Sequence, residues 1–175
     1  LELTGLKFDI EPADYAEDMN LKLSPHELAR FLSLEKAKSV AGKYGDAIII
    51  AADTFVVIGE KILGKPHNDA EAKRMLELIE GRTHSVITGF TILDTDTSKK
   101  LSRSEETRVT FRNLTEKEID AYVKTKEPLD KAGAYAIQGL GSILIKSIEG
   151  DYFNVIGFPL CALAENLKEF GIRVL

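Results

Sequence analysis

Residues 47–66 read AIIIAADTFVVIGEKILGKP, and no other stretch constrains the fold as tightly. Ile48, Ile49 and Ile50 form an apolar run that suits only a buried strand or a core helix. Their β-branching, with no capping residue ahead of them, favours the strand. Asp53 closes that run, Thr54 follows, and Phe55, Val56, Val57 and Ile58 begin a second apolar group. A carboxylate set between strand-forming hydrophobes must be paired, bound to a metal, or placed at a strand end facing a cleft. Unpaired burial of a charge costs too much to persist. Twelve residues further on, Gly64-Lys65-Pro66 puts a cation beside a chain reversal. The plain expectation is an internal ion pair tying two strands together, and the sharper one is a functional carboxylate.

The chain has 175 residues, enough for one domain or one domain with two lobes around a sizeable core. A net charge of −5 argues against a nucleic-acid coat or an anionic membrane surface as partner. It leaves room for a phosphate ligand, because bound Mg²⁺ and a few local lysines supply a positive field. Cys161 is the only cysteine, which excludes an intrachain disulfide and makes a reducing compartment the default. No apolar run approaches the roughly 20 residues that span a bilayer. No signal peptide, low-complexity tract or internal repeat is visible. The chain opens at Leu1 rather than at a methionine, so a preceding segment is expected.

Residues 1–5 read as the end of a helix stopped by Gly5, 7–10 as a short strand, and 11–20 as an acidic loop. Ser24-Pro25-His26-Glu27 is a capping box that predicts a helix from Pro25 to about Ala41. On that helix Lys36 falls between Leu32 and Val40, either snorkelling from the edge of the apolar face or pointing its ammonium into a cleft. Asn68 to Glu71 makes a second capping box for a helix ended by Gly81. Residues 85–93 and 105–111 read as a hairpin around 95–100. Thr115 and Glu118 cap a third helix that stops by Pro128. Residues 134–138, 142–148 and 152–156 read as three short strands, and Pro159 opens a last helix ended by Gly171. Interspersed helices and hairpins, without regular βαβ repeats, predict a mixed sheet with flanking helices in an α/β or α+β fold.

Several motifs are excluded on chemistry. Residues 59–65 have P-loop spacing, but Pro66 replaces the Mg²⁺-binding hydroxyl and removes a phosphate-cradling N–H. Three scattered histidines and one cysteine make no zinc cluster. No nucleophile elbow is present. Gly139-x-Gly141 lacks the third glycine and the helix of a dinucleotide fingerprint. What remains is Glu17 and Asp53, Lys36, Lys65 and Lys131, and Gln138 beside turn glycines. Oxygen ligands for Mg²⁺, lysines for phosphate oxygens and an amide for a base edge are the groups that hydrolysis of a nucleotide phosphoanhydride needs. The Gln138 amide either ties off its turn or reads the O4 or O2 and N3–H of a pyrimidine.

Five segments carry a resemblance that spans essentially the whole chain: Ala52-Asp53-Thr54-x-Val56, Gly64-Lys65-Pro66, the stretch from Gly81-Arg82-x-His84 to Gly89, the stretch from Glu127-Pro128 through Asp130-Lys131-Ala132-Gly133 to Gln138-Gly139, and Gly150-Asp151-Tyr152-x-Asn154-Val155 to Pro159. In order and spacing the sequence resembles the Maf family. That resemblance implies a two-lobed α/β mixed-sheet fold with flanking helices, related to the inosine triphosphate pyrophosphatases, in one domain over residues 1–175. It implies a cytoplasmic nucleoside triphosphate pyrophosphatase of the dTTP and UTP branch, modified pyrimidine nucleotides included, in a family once described as inhibitors of septum formation. Asp53 then matches the catalytic carboxylate, Glu17 the second acidic residue, with Asp14 or Asp18 of the same loop as alternatives, and Lys36 and Lys65 the phosphate-contacting lysines. Gln138 and Thr54 match the base-selecting positions, with Lys131 a further substrate contact. Glu17 and Asp53 would hold a divalent metal, Mg²⁺ or else Mn²⁺, and a homodimer is the implied assembly. The family's Ser-x-Ser-Pro-Arg-Arg phosphate grip would precede Leu1. The competing expectation is a nucleotide-binding regulator of division without enzymatic activity.

Overall fold

The computed structural model describes every residue except Glu17, Met19 and Asn20. Five strands pair in the order β2-β1-β3-β4-β5, where β1 is Ile48–Ile58, β2 Lys61–Leu63, β3 Thr83–Asp94, β4 Lys100–Phe111 and β5 Ile145–Glu149. β2 runs antiparallel to β1 and β5 antiparallel to β4. Helices α1 (Pro25–Ala41), α2 (Asp69–Ile79), α3 (Glu116–Lys124), α4 (Tyr152–Ile156) and α5 (Leu160–Leu167) complete the mixed α/β fold. Among the described residues no helix is long and apolar enough to cross a membrane.

The chain forms two compact units. The first comprises Leu1–Asp53, Thr88–Glu105 and Gly157–Leu175. Its core gathers Phe90, Ile92, Leu163 and Leu167, with Ile48, Ile50 and Ala52 of β1 packed against them. α1 starts where the sequence predicts: Ser24 accepts from the Glu27 amide, and the Glu27 carboxylate accepts from the Ser24 amide at 2.9 Å. Gly89 lets α1 approach β3 backbone to backbone, since a Cβ there would lie 2.1 Å from the Ala29 carbonyl oxygen. A hydroxyl pair, Ser33 and Thr91 at 2.9 Å, satisfies the buried polar groups of that contact.

The second unit comprises Thr54–Ile87 and Glu106–Ile156. Its core joins Val56 and Ile58 of β1 to the apolar faces of α2 and α3 and to Phe111, Ala134 and Tyr135. Thr115 and Glu118 form the expected capping box on α3. At α2 only half of the expected box exists. Asn68 accepts from the Glu71 amide, but the Glu71 carboxylate takes the His67 amide instead.

Three further expectations differ from the structure. Residues 7–10 lie outside any strand. The stretch 132–144 is built from two 3-10 turns, Ala132–Ala134 and Leu140–Leu144, rather than strands, and only Ile145–Glu149 pairs with β4. Gly133, Ala134 and Gly139 all have positive φ, which no strand accommodates. Residues 152–156 form the short helix α4, begun by the Asp151 carboxylate accepting the Phe153 amide at 2.8 Å.

Candidate active site

β1 runs unbroken through both apolar groups, so Asp53 stands in the middle of the strand, with five strand residues on either side. Its side chain is only 6% exposed. The Lys36 ammonium, on α1, donates to Asp53 Oδ1. The internal ion pair therefore ties a helix to a strand rather than two strands together. Ile48, Ile50 and Ala52 pack into the first core, so the alternation of the strand puts Asp53 on the opposite face from them. Thr54, which follows Asp53, is half-buried. The Lys36 side chain keeps 20% of its surface exposed, more than the 6% of its partner.

A cavity of about 660 Å³ in the first unit is lined by Lys36, the apolar edge Ile48–Ile50, and Lys7, Asp9, Glu11 and Asp46. Its acids outnumber its lysines, so this cavity alone is a poor seat for a triphosphate. Glu11 is held below the usual carboxylate range by the hydrogen bond and charge of Lys43.

Lys65, Lys131 and Gln138 lie in the second unit. Lys65 is exposed, on the connection between β2 and α2, next to the buried Pro66. The Gly133 amide donates to the Gly64 carbonyl at 3.0 Å, fastening this connection to the turn that carries Asp130 and Lys131. Gly133 is required there: its φ is +67°, and a Cβ would lie 2.6 Å from Val56 Cγ2. Lys131 donates to both carboxylate oxygens of Asp130 at 2.8 Å. That hydrogen bond first, then the Lys131 charge and the more distant Lys65, hold Asp130 below the usual carboxylate range. Gln138 is exposed, in a segment without helix or strand structure.

Two residues given no role on sequence grounds organise this unit. The His84 ring, 3% exposed, stacks edge-on to Phe111 and Tyr135, and its Nε2 sits 2.8 Å from the Tyr135 hydroxyl. Burial pushes its pKa down to about 4, and Nδ1 has no hydrogen-bond partner among the described residues. Glu127 accepts three hydrogen bonds, from the Tyr122 hydroxyl and the Leu140 and Gly141 amides. Burial works to raise its pKa, but the Gly141, Leu140 and Tyr122 donors outweigh it and hold the carboxyl below its ordinary value.

Among the described residues no three of His, Cys, Asp or Glu converge as a closed metal cage requires. A hard cation that takes one or two carboxylates and completes its shell with phosphate oxygens and water fits the Asp53 carboxylate. Glu17, the second expected ligand, lies outside the described residues.

A family model described as Maf-like protein matches residues 1–170. A Bacillus cereus (strain AH820) protein named dTTP/UTP pyrophosphatase is 49% identical over 174 residues, covering 99% of this chain and 90% of that relative. Proteins of the same name from Bacillus thuringiensis subsp. konkukian (strain 97-27) and Bacillus anthracis match at the same 49% identity and coverage.

Proposed function

Because the chain belongs to the Maf-like protein family, we propose that it is a nucleoside triphosphate pyrophosphatase, converting dTTP and UTP to the monophosphate and pyrophosphate. The observation that carries this function is the buried Asp53 in the middle of β1, with the Lys36 ammonium on its carboxylate. Relatives at 49% identity named for the same activity support it.

Water attacks the α-phosphorus, forming one P–O bond as the bond to the bridging oxygen of the leaving pyrophosphate breaks. Asp53 orients that water and can accept its proton. Lys36 compensates the Asp53 charge before substrate arrives and contacts a phosphate oxygen afterwards, so the site never holds an isolated buried carboxylate. Lys65 takes further phosphate charge, Lys131 contributes a substrate contact from its Asp130-held position, and Thr54 and Gln138 select the base. A divalent cation, Mg²⁺ or in its place Mn²⁺, would be held by Asp53 and Glu17 and would neutralise charge on the phosphate oxygens. We take residues 1–175 as one functional domain that works in the cytoplasm, with a homodimer as the expected assembly and with no nucleic-acid or membrane partner.

Pyrophosphate release from dTTP, UTP, GTP and ATP in Mg²⁺ tests this function. Turnover of dTTP and UTP well above the purine nucleotides is expected, and Gln138→Glu should narrow that ratio. Binding of dTTP without pyrophosphate release would identify a nucleotide-binding regulator instead.

A further inference from the structure

Gln138 has no regular secondary structure to hold it. Residues 135–139 lie in neither helix nor strand, and Gly139 has φ +95°. Backbone amides on both sides of Gln138 are instead captured by two side chains. The Ala136 amide, two residues before it, donates to the Tyr122 hydroxyl at 3.2 Å. The Leu140 and Gly141 amides, two and three residues after it, donate to Glu127 Oε2 and Oε1 at 3.0 and 2.8 Å. The Tyr122 hydroxyl in turn donates to Glu127 Oε1 at 2.8 Å, closing the circuit.

Both side chains are anchored. Tyr122 belongs to α3 and is 5% exposed within the core of the second unit. Glu127 opens the 3-10 turn Glu127–Asp130. The fit leaves no room for larger residues on the loop. A Cβ at Gly139 would lie 2.6 Å from Glu127 Oε2, and one at Gly141 would lie 2.5 Å from the Tyr122 hydroxyl.

From this circuit we propose that Glu127 and Tyr122 are positioning residues for base selection, clamping the loop on both flanks of Gln138 so that its amide is presented in one orientation. The proposal rests on the base-reading role of Gln138 given above. Discrimination between hydrogen-bond patterns requires a reader that cannot turn to suit the wrong base. A loop fastened at residues 136, 140 and 141 gives Gln138 that rigidity without a strand ladder. The carboxylate is the right group because every partner it meets is a donor, and it accepts three of them. Glutamine at this position would turn an NH₂ group toward a backbone N–H or the phenol, opening the clamp while keeping the side chain's length.

The test compares Glu127→Gln, Tyr122→Phe and Gln138→Ala with the unaltered chain, using kcat/KM for dTTP and GTP and amide hydrogen exchange without nucleotide. Tyr122→Phe keeps the core ring and guards against a folding defect in the glutamate variant. The clamp predicts faster exchange at the Leu140 and Gly141 amides in Glu127→Gln and at Ala136 in Tyr122→Phe. It also predicts at least a tenfold fall in the dTTP-to-GTP ratio, carried mainly by KM for dTTP. A purely structural role would lower both substrates together and leave the ratio unchanged, which overturns the proposal. Unchanged exchange at 136, 140 and 141 overturns it as well. Gln138→Ala separates the two layers: if it leaves the ratio intact, the base-reading role itself fails, whatever the clamp variants do.

Discussion

Acidification should weaken the fold through His84, at a size set by its surroundings. The neutral ring is accommodated by the Tyr135 hydroxyl and by edge contacts with Phe111 and Tyr135. Protonation would place a charge in a desolvated site, and the imidazolium would carry an N–H on each nitrogen, with no partner for Nδ1 among the described residues. The ring protonates near its ordinary 6.5 when the chain is unfolded, but only near 4 when folded. Between those values the unfolded state binds the extra proton, so stability falls as pH drops from about 6.5 and levels off below about 4. At about 1.4 kcal/mol per pH unit, the loss across that window approaches about 3 kcal/mol. Carboxylates held low, such as Glu118 at about 2, lose their contribution at lower pH, as it falls from about 4.5. Urea denaturation from pH 7.5 to 4 of the unaltered chain and of His84→Gln isolates the histidine, because all other groups are common to both. The unaltered chain should lose about 3 kcal/mol more than the variant. Parallel curves, or an imidazole that titrates near 6.5 by NMR in the folded protein, would refute the reasoning.

The Lys36–Asp53 pair should respond asymmetrically to truncation. Lys36→Ala removes the ammonium beside a carboxylate that is 6% exposed and should cost about 3 kcal/mol. Asp53→Asn leaves an ammonium whose side chain is 20% exposed, able to reach water, and should cost about 1 kcal/mol. Urea midpoints in the reverse order would show that the pair is not the buried link described. Gly89→Ala would set a Cβ 2.1 Å from the Ala29 carbonyl oxygen and 2.7 Å from the Arg30 nitrogen. Backbone must move to relieve that clash, so a loss of about 3 kcal/mol is expected, or roughly 10 °C in Tm. A melting temperature within 2–3 °C of the original, on that same scale, would mean that α1 does not sit on β3 as found.

Local chemistry announced much of this fold. Ser24 with Glu27 and Thr115 with Glu118 are short-range devices, and both capping boxes are present. The β3–β4 hairpin was legible as two strand segments joined by a polar turn. Residues 134–144 misled because their apolar spacing suits a strand, while the groups that fold them otherwise, Tyr122 and Glu127, are side chains elsewhere in the chain. Asp151 ahead of Tyr152 was a readable helix start that the aromatic and β-branched residues after it obscured. In the site, Asp53 stood out because a carboxylate amid strand residues demands a partner. Which lysine answers it could not be read, since both Lys36 and Lys65 were plausible by charge and only the packing of α1 on the sheet of the first unit selects Lys36.

Single-turnover hydrolysis of dTTP by Asp53→Asn tests the central claim most directly. The substitution keeps the shape of the side chain and removes its charge, so the chemical step should slow by about 10²-fold or more. The variant should remain folded and still bind dTTP through Lys36 and Lys65. Pyrophosphate released at the unaltered rate would contradict the assignment of Asp53 as the group that acts on the attacking water.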